Sequence, residues 1–225
     1  MDWAGCGGPM GQDLIIIGAG GHGREVLSVV VALADSGSVS YEVVGFAADD
    51  RPDGEGVARL ERLGQRLLGT LEEVSSAHPG VGVVVAIGDP AARAEVTARA
   101  SGLGLVLVPA LVHPSVTVGL DVELAAGVVV QAGSQITTNV RVGVGVQINT
   151  ACSVSHDVVL GDHVTLSPGC RLTGGVRVED GAFFGTGAVV APGVVVGRGA
   201  RVGAGSVVLH DVPAGATVHG APARG

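Results

Sequence analysis

Lysine is absent: all 13 basic residues are arginine. Aromatic residues make up only 2% of the chain and charged residues only 15%. Disordered chains are rich in charge and poor in apolar residues. Here hydrophobic residues reach 47%, so that class is excluded. A membrane span needs about 20 consecutive apolar residues. The longest aliphatic stretch, near Val26–Ala34, is too short and contains Ser28. The net charge of −8, with no basic run, makes a poor nucleic-acid binder. The three cysteines, Cys6, Cys152 and Cys170, are odd in number and widely spaced, which fits neither a disulfide framework nor a zinc motif. The segment Met1–Met10 lacks the basic and apolar regions of a signal peptide, so a cytoplasmic location is expected. Residues 1–12 read as a flexible leader.

Glycine is abundant, at 39 of 225 residues, but it does not recur at every third position, which excludes collagen. A core without aromatics must be filled by Val, Leu, Ile and Ala. Together with so much glycine, this points to many short strands joined by tight turns.

From Val112 onward the chain has a period of six. Val112, Val118, Leu124, Val130, Ile136, Val142, Ile148, Val154 and Leu160 open the series, and Leu166, Leu172, Val178, Phe184, Val190, Val196, Val202 and Val208 complete it. All seventeen are apolar. The sites four residues after each are small or Val, from Val116 through Ser134, Cys152 and Cys170 to Val212. Such a period fits neither a helix nor a simple strand. It describes a short strand, a corner and another short strand, stacked into a solenoid too narrow for aromatic side chains. An irregular Val-rich sandwich would not hold one register for this long.

The hexapeptide pattern resembles the left-handed parallel β-helix of hexapeptide-repeat acyltransferases, in which three hexapeptides make one triangular coil. The resemblance implies five to six coils, a prism of about 25–30 Å at about 4.8 Å per coil. It also implies homotrimers with acetyl-CoA lying between adjacent prisms.

Residues 13–108 follow another pattern. Apolar strands at Asp13–Ile17, Glu42–Phe46, Gly82–Ile87 and Leu103–Val108 alternate with helical spacing at Arg24–Ala34, Leu71–Ala77 and Pro90 to about Ala100. This predicts a small parallel α/β domain, with the stretch from Arg51 to Gly69 ambiguous. Gly18-x-Gly20-x-x-Gly23 follows a strand and opens a helix, the context for holding a phosphate. Asp49 or Asp50 stands where a dinucleotide fold places its ribose acid, which keeps an NAD reading open.

The loop Gly18-Ala19-Gly20-Gly21-His22-Gly23, followed by Asp49-Asp50 and by Gly88-Asp89-x-x-x-Arg93, is similar to nucleotide-sugar N-acetyltransferases and sialic-acid O-acetyltransferases. These couple a Rossmann-like domain to the prism. The resemblance divides the chain into a nucleotide-sugar domain at 13–108 and an acyltransferase domain at 109–225. It implies that Gly20, Gly21, His22, Asp49, Asp50 and Gly88 line the nucleotide. The residues alone leave His22 either a ligand contact or a loop histidine bonded to backbone. Asp49 and Asp50 are either ligands or turn residues, and Arg93 either meets a phosphate or is a solvated helix residue.

Moving acetyl from a thioester to an amine needs a base, an oxyanion donor and two aligned substrates. Histidine, which ordinarily titrates at about 6.5, suits the base. His156 lies two residues past the inward Val154, at a corner, and Asp157 follows it. The run from Asn149 to Asp157 resembles the family's active-site segment. That resemblance makes His156 the base, Asp157 its orienting acid and Asn149 a supporting hydrogen-bond partner. Thr165 stands where the family often carries a second histidine that helps hold the substrates. His163 reads as an exposed corner residue. Gly174 matches a glycine whose N–H faces the acetyl carbonyl. Gly185, Ala191, Gly203 and Ala204 lie where CoA-lining backbone is implied, and Arg198 and Arg201 where its phosphates are.

The resulting expectation is acetyl transfer from acetyl-CoA to the amino group of a nucleotide-linked sugar of the 4-amino-4,6-dideoxy type, without a metal. Sugar O-acetylation is the close alternative. A three-histidine zinc site, as in β-helical carbonic anhydrases, and an inactive nucleotide-sugar scaffold are alternatives of other classes.

Overall fold

The computed structural model describes residues 12–38, 41–50 and 52–225. The proposed leader therefore lies outside the described residues except for Gln12, which begins the first strand. Five parallel strands form the N-terminal sheet: β1 Gln12–Ile17, β2 Tyr41–Ala47, β3 Leu67–Gly69, β4 Gly82–Val85 and β5 Val106–Leu107. Their order is β3-β2-β1-β4-β5, so the chain reverses direction across the sheet between β1 and β4. Four helices connect them: α1 Gly21–Asp35, α2 Gly54–Arg62, α3 Leu71–Ala77 and α4 Pro90–Gly102.

The helix starts are written locally. Asp89 accepts hydrogen bonds from the N–H groups of Ala91 and Ala92, with Pro90 opening α4. Thr70 and Glu73 form a capping box at α3. The stretch that was ambiguous in sequence holds α2 and β3, with Asp53 capping α2. Val26, Leu27, Val30 and Leu33 form the buried stripe of α1, in one core with Leu14 and Ile16 of β1.

From Leu111 the chain winds as a left-handed parallel β-helix with three faces. Face I has strands at Leu111–Val112, Val129–Val130, Gln147–Ile148, Thr165–Leu166, Phe183–Phe184, Arg201–Val202 and Thr217–Val218. Face II runs from Thr117–Val118 through Ser153–Val154 to Val207–Val208, and face III from Val122–Leu124 to Val195–Val196. Strands one coil apart pair in parallel with a step of 18 residues, as Gln147 does with Thr165, shortened to 16 at the last pair, Arg201 with Thr217. Every apolar inward site named from sequence belongs to, or packs against, one continuous apolar column, and the polar site Ser134 is buried as well. One expectation needs correction: Phe184 sits inside the prism fully buried. The nearby inward sites Ala182, Ala188 and Ala200 are small, which leaves room for one ring.

Face I explains how the two halves join. Its outward ladder reads Leu111, Val129, Gln147, Thr165, Phe183, Arg201. The first four are at most 2% exposed because the α/β domain covers them. Leu111 and Val129 belong to the same core as β1 and α1, and burying each contributes about 1.5–3 kcal/mol. Gln147 donates to Val85 O at 3.3 Å, and Thr165 Oγ1 donates to Gly88 O at 2.8 Å. Above them Phe183 is half-buried, with Arg201 stacked 4.6 Å from its ring centroid. The C-terminal ends of β1 and β4 therefore face the prism wall. Among the described residues, no helix is long and apolar enough to cross a membrane.

Candidate active site

His156 sits on the corner between faces II and III. Its Nδ1 lies 2.8 Å from Asp157 Oδ2, and its Nε2 has no intramolecular partner among the described residues. The side chains are open, at 63% and 58% exposure. Asp157 has φ +61, in the left-handed region, which Asp and Asn tolerate better than other non-glycine residues. Asp157 Oδ1 accepts from Asn139 Nδ2 at 3.2 Å, so each carboxylate oxygen has one partner. These two hydrogen bonds, His156 first, hold the Asp157 carboxyl below its ordinary pKa.

Gly174 lies one coil farther along the chain, against the ring. A Cβ there would collide with His156 Cε1 and lie 2.5 Å from Nε2. Glycine at 174 is therefore what lets the imidazole lie over the corner. Like several corner amides of the prism, the Gly174 N–H has no intramolecular acceptor among the described residues. The corner thus offers a proton acceptor oriented by a carboxylate, next to a free N–H donor.

The other expected residues fall on separate corners. Ala191 stands on the same corner as His156 and Gly174, one register position before theirs. Asn149, Gly185 and Gly203 share a register column on the corner between faces I and II, with Ala204 next to it. Asn149 does not bond His156 within the chain: its Oδ1 accepts from Gln131 Nε2 at 3.1 Å. The asparagine in the His156 network is Asn139, a residue the sequence reading missed. Its signal was its position 18 residues, one coil, before Asp157. Arg198 lies on the third corner, bound to Asp180 at 2.6 Å. Arg201 lies on face I, 3.4 Å from Asp89.

Arg93 corrects both readings made of it. It is fully buried and touches neither solvent nor an open phosphate site. Its Nε donates to Gly145 O at 2.7 Å, and its terminal nitrogens donate to the carbonyls of Ile87, Gly88, His163 and Val164 and to Thr165 Oγ1. Burial pushes its pKa down to about 10, with Asp89 opposing, and it stays charged at neutral pH. Arg93 is the clamp between the domains. Thr165, 2% exposed, belongs to the same clamp and is not open to a substrate. His163 is half-buried rather than exposed, with Nδ1 enclosed and unpaired. Burial and then the Arg93 charge push its pKa down, against Asp162 and Asp180.

At the sheet end, an added Cβ at Gly20 or Gly88 would meet nothing within 4 Å, and at Gly21 only Arg24 at 3.8 Å. These glycines leave open space beside the switch point between β1 and β4. Gly18 and Gly23 are structural instead: a Cβ on Gly18 would lie 2.5 Å from Ala86 O, and one on Gly23 would collide with Gly18 O. His22 is held on both ring nitrogens, by Gln147 Oε1 at 3.0 Å and Glu25 Oε2 at 3.3 Å. It bridges the domains rather than bonding loop backbone. Asp49 is tied to Arg99 at 2.6 Å and to Leu71 N–H. Burial works against its ionisation, but these bonds outweigh it and hold its pKa low. That pairing removes Asp49 as the free ribose acid of a dinucleotide fold, and Asp50 remains exposed. Among the described residues, no group of three or more His, Cys, Asp or Glu is placed to hold a metal ion.

Comparisons with known proteins bear on the whole chain. A family model described as PglD N-terminal domain matches residues 13–100, and one described as bacterial transferase hexapeptide (six repeats) matches residues 175–210. No curated protein sequence matches the chain. Among solved structures, the chain is similar to a perosamine N-acetyltransferase variant from Caulobacter crescentus, with a histidine replaced by asparagine, in complex with CoA and GDP-perosamine. The identity is 32% and the TM-score 0.81, over 96% of this chain and 97% of that one. It is also similar to the acetyltransferase domain of PglB from Neisseria gonorrhoeae in complex with acetyl coenzyme A, at 33% identity and TM-score 0.79 over 95% and 98%. WeeI from Acinetobacter baumannii is 28% identical with TM-score 0.78, over 95% and 99%.

Proposed function

The chain belongs to the sugar N-acetyltransferases that join a PglD-type N-terminal domain to a hexapeptide-repeat β-helix, and on that premise we propose that it transfers acetyl from acetyl-CoA to the amino group of a nucleotide-linked 4-amino-4,6-dideoxy sugar. One geometric observation carries the mechanism: the His156–Asp157 pair, with Nδ1 engaged and Nε2 free, set above a glycine floor.

The sugar amine attacks the thioester carbonyl carbon. A C–N bond forms, and the carbonyl electrons move onto oxygen, where the Gly174 N–H stabilises them. His156 Nε2 takes the proton leaving the amine, while Asp157 holds the ring and stabilises its cation. Collapse of the intermediate breaks the C–S bond. The CoA thiolate leaves and takes up the proton held on His156, and the amide remains on the sugar.

Residues 13–108 hold the nucleotide and residues 109–225 the acetyl donor. Parallel sheets bind ligands at the switch point beyond their strand ends. Here Gly20, Gly21 and Gly88 leave the space, with Asp50 exposed nearby, while His22, Asp49 and Arg93 fix the frame. The protein works as a homotrimer. His156 stands on an outer corner with no wall opposite, and Asn149, Gly185, Gly203 and Ala204 line a different corner. In a trimer the second corner of one prism faces the first corner of its neighbour, and acetyl-CoA fills the groove between them. The enzyme works in the cytoplasm, where acetyl-CoA is supplied.

Turnover of acetyl-CoA against UDP-, GDP- and dTDP-linked 4-amino sugars tests the reading. The product should resist mild base, as amides do. A base-labile ester would make the enzyme an O-acetyltransferase, and failure to bind acetyl-CoA would make it a scaffold.

A further inference from the structure

The corner between faces II and III carries a vertical column of left-handed residues. They are Asp121, Asn139, Asp157, Gly175 and Gly193, with φ of 54, 56, 61, 70 and 73. Each is one coil above the last. In this column the backbone N–H of each residue from Asn139 upward bonds a carbonyl of the coil below: Asn139 to Leu120 at 3.0 Å, Asp157 to Thr138 at 3.1 Å and Gly175 to His156 at 2.9 Å. Side chains leaving identical backbones about 4.8 Å apart run parallel. That stacking delivers the Asn139 amide to the Asp157 carboxylate at 3.2 Å. The Asp157 carboxylate only accepts, so it takes the NH2 side of the Asn139 amide, while Thr138 Oγ1 donates its one proton to Leu120 O at 2.9 Å.

We propose that Asn139 is a positioning residue of the acetyl transfer, holding Asp157 Oδ1 so that Oδ2 stays on His156 Nδ1. This rests on His156 being the base. An exposed carboxylate has several rotamers available, and at 58% exposure packing alone does not choose one. The Asn139 bond makes the choice. The other acid of the column, Asp121, cannot compete for the amide, because it is paired with Arg141 at 2.9 Å. Asn139 touches no reacting atom. It acts through Asp157, so its removal should lower kcat and leave substrate affinity alone.

Asn139→Gly separates the amide from the backbone, since glycine accepts positive φ without strain. The expected result is a kcat about tenfold lower, with both KM values within about twofold and an unchanged melting temperature. The second arm is a double-mutant cycle on the full-length protein. In an Asp157→Gly background, Asn139→Gly should change the remaining kcat by less than about twofold, because the residue it acts through is gone. An unchanged kcat in the single variant, or an undiminished further loss in the Asp157→Gly background, overturns the proposal. His156→Asn distinguishes the two levels. If it abolishes turnover while Asn139→Gly is normal, only the positioning role fails. If it leaves turnover intact, the base assignment itself fails.

Discussion

Gly174→Ala is the sharpest perturbation of the catalytic corner. The φ of Gly174 lies outside the left-handed region, so alanine meets no backbone strain there. The added methyl would lie 2.5 Å from His156 Nε2 and 3.0 Å from Nδ1. Ordinary contact begins at about 3.5 Å. The imidazole must therefore retreat by about 1 Å, and at 63% exposure nothing prevents it from swinging into solvent. The fold should survive while the His156 ring moves. A misplacement of about 1 Å costs about a hundredfold in rate. Steady-state kinetics should show kcat down by about that factor, with the melting temperature within about 2 °C of the parent. The substitution keeps the backbone N–H, so a large loss separates the space made by Gly174 from its N–H as an oxyanion donor. A kcat within about threefold of the parent would refute the placement of the His156 ring over Gly174 in the working enzyme.

Two further predictions concern the domain junction. Arg93→Met removes a buried cation from a ring of carbonyls and should cost about 3–5 kcal/mol, a melting temperature about 10 °C lower by calorimetry; an unchanged value contradicts the clamp. His163 is protonated more readily unfolded than folded, so between its lowered folded pKa and about 6.5 the unfolded chain binds more protons. Its contribution is fully present above about pH 6.5 and is lost as pH falls through the folded value, with Arg93, Asp162 and Asp180 the charges facing it. His163→Asn, which tolerates the φ of +56 at this position, should flatten the fall in melting temperature from pH 7 to pH 5, and equal slopes for both proteins contradict this.

The β-helix was legible because its interior is one column, and a column writes the same constraint every six residues. The α/β domain was legible from alternating patterns and from caps such as Asp89-Pro90. The pairing of His156 with Asp157 was legible because they are adjacent in the chain, and their corner because the period locates it. Arg93 was not. Its partners are mostly backbone carbonyls, and those across the junction lie 52 to 71 residues away; a carbonyl leaves no mark on the amino-acid string. Thr165 stood at a register position associated with substrate contact, but the outward ladder of face I is covered there by the α/β domain. Asn139 was hidden for a different reason. It is 17 residues from His156 in the chain, and only the 18-residue coil repeat reveals it as the neighbour of Asp157. The separation of Asn149 from His156 within one chain follows from their places on adjacent corners of the prism.

The most direct test of the central claim is the kcat of His156→Asn on whichever nucleotide-linked 4-amino sugar the native enzyme acetylates best, measured with saturating acetyl-CoA. A general base contributes about 10²- to 10⁴-fold, so the variant should lose at least about a hundredfold in kcat while remaining folded and still binding CoA. Turnover near the native rate would contradict the account.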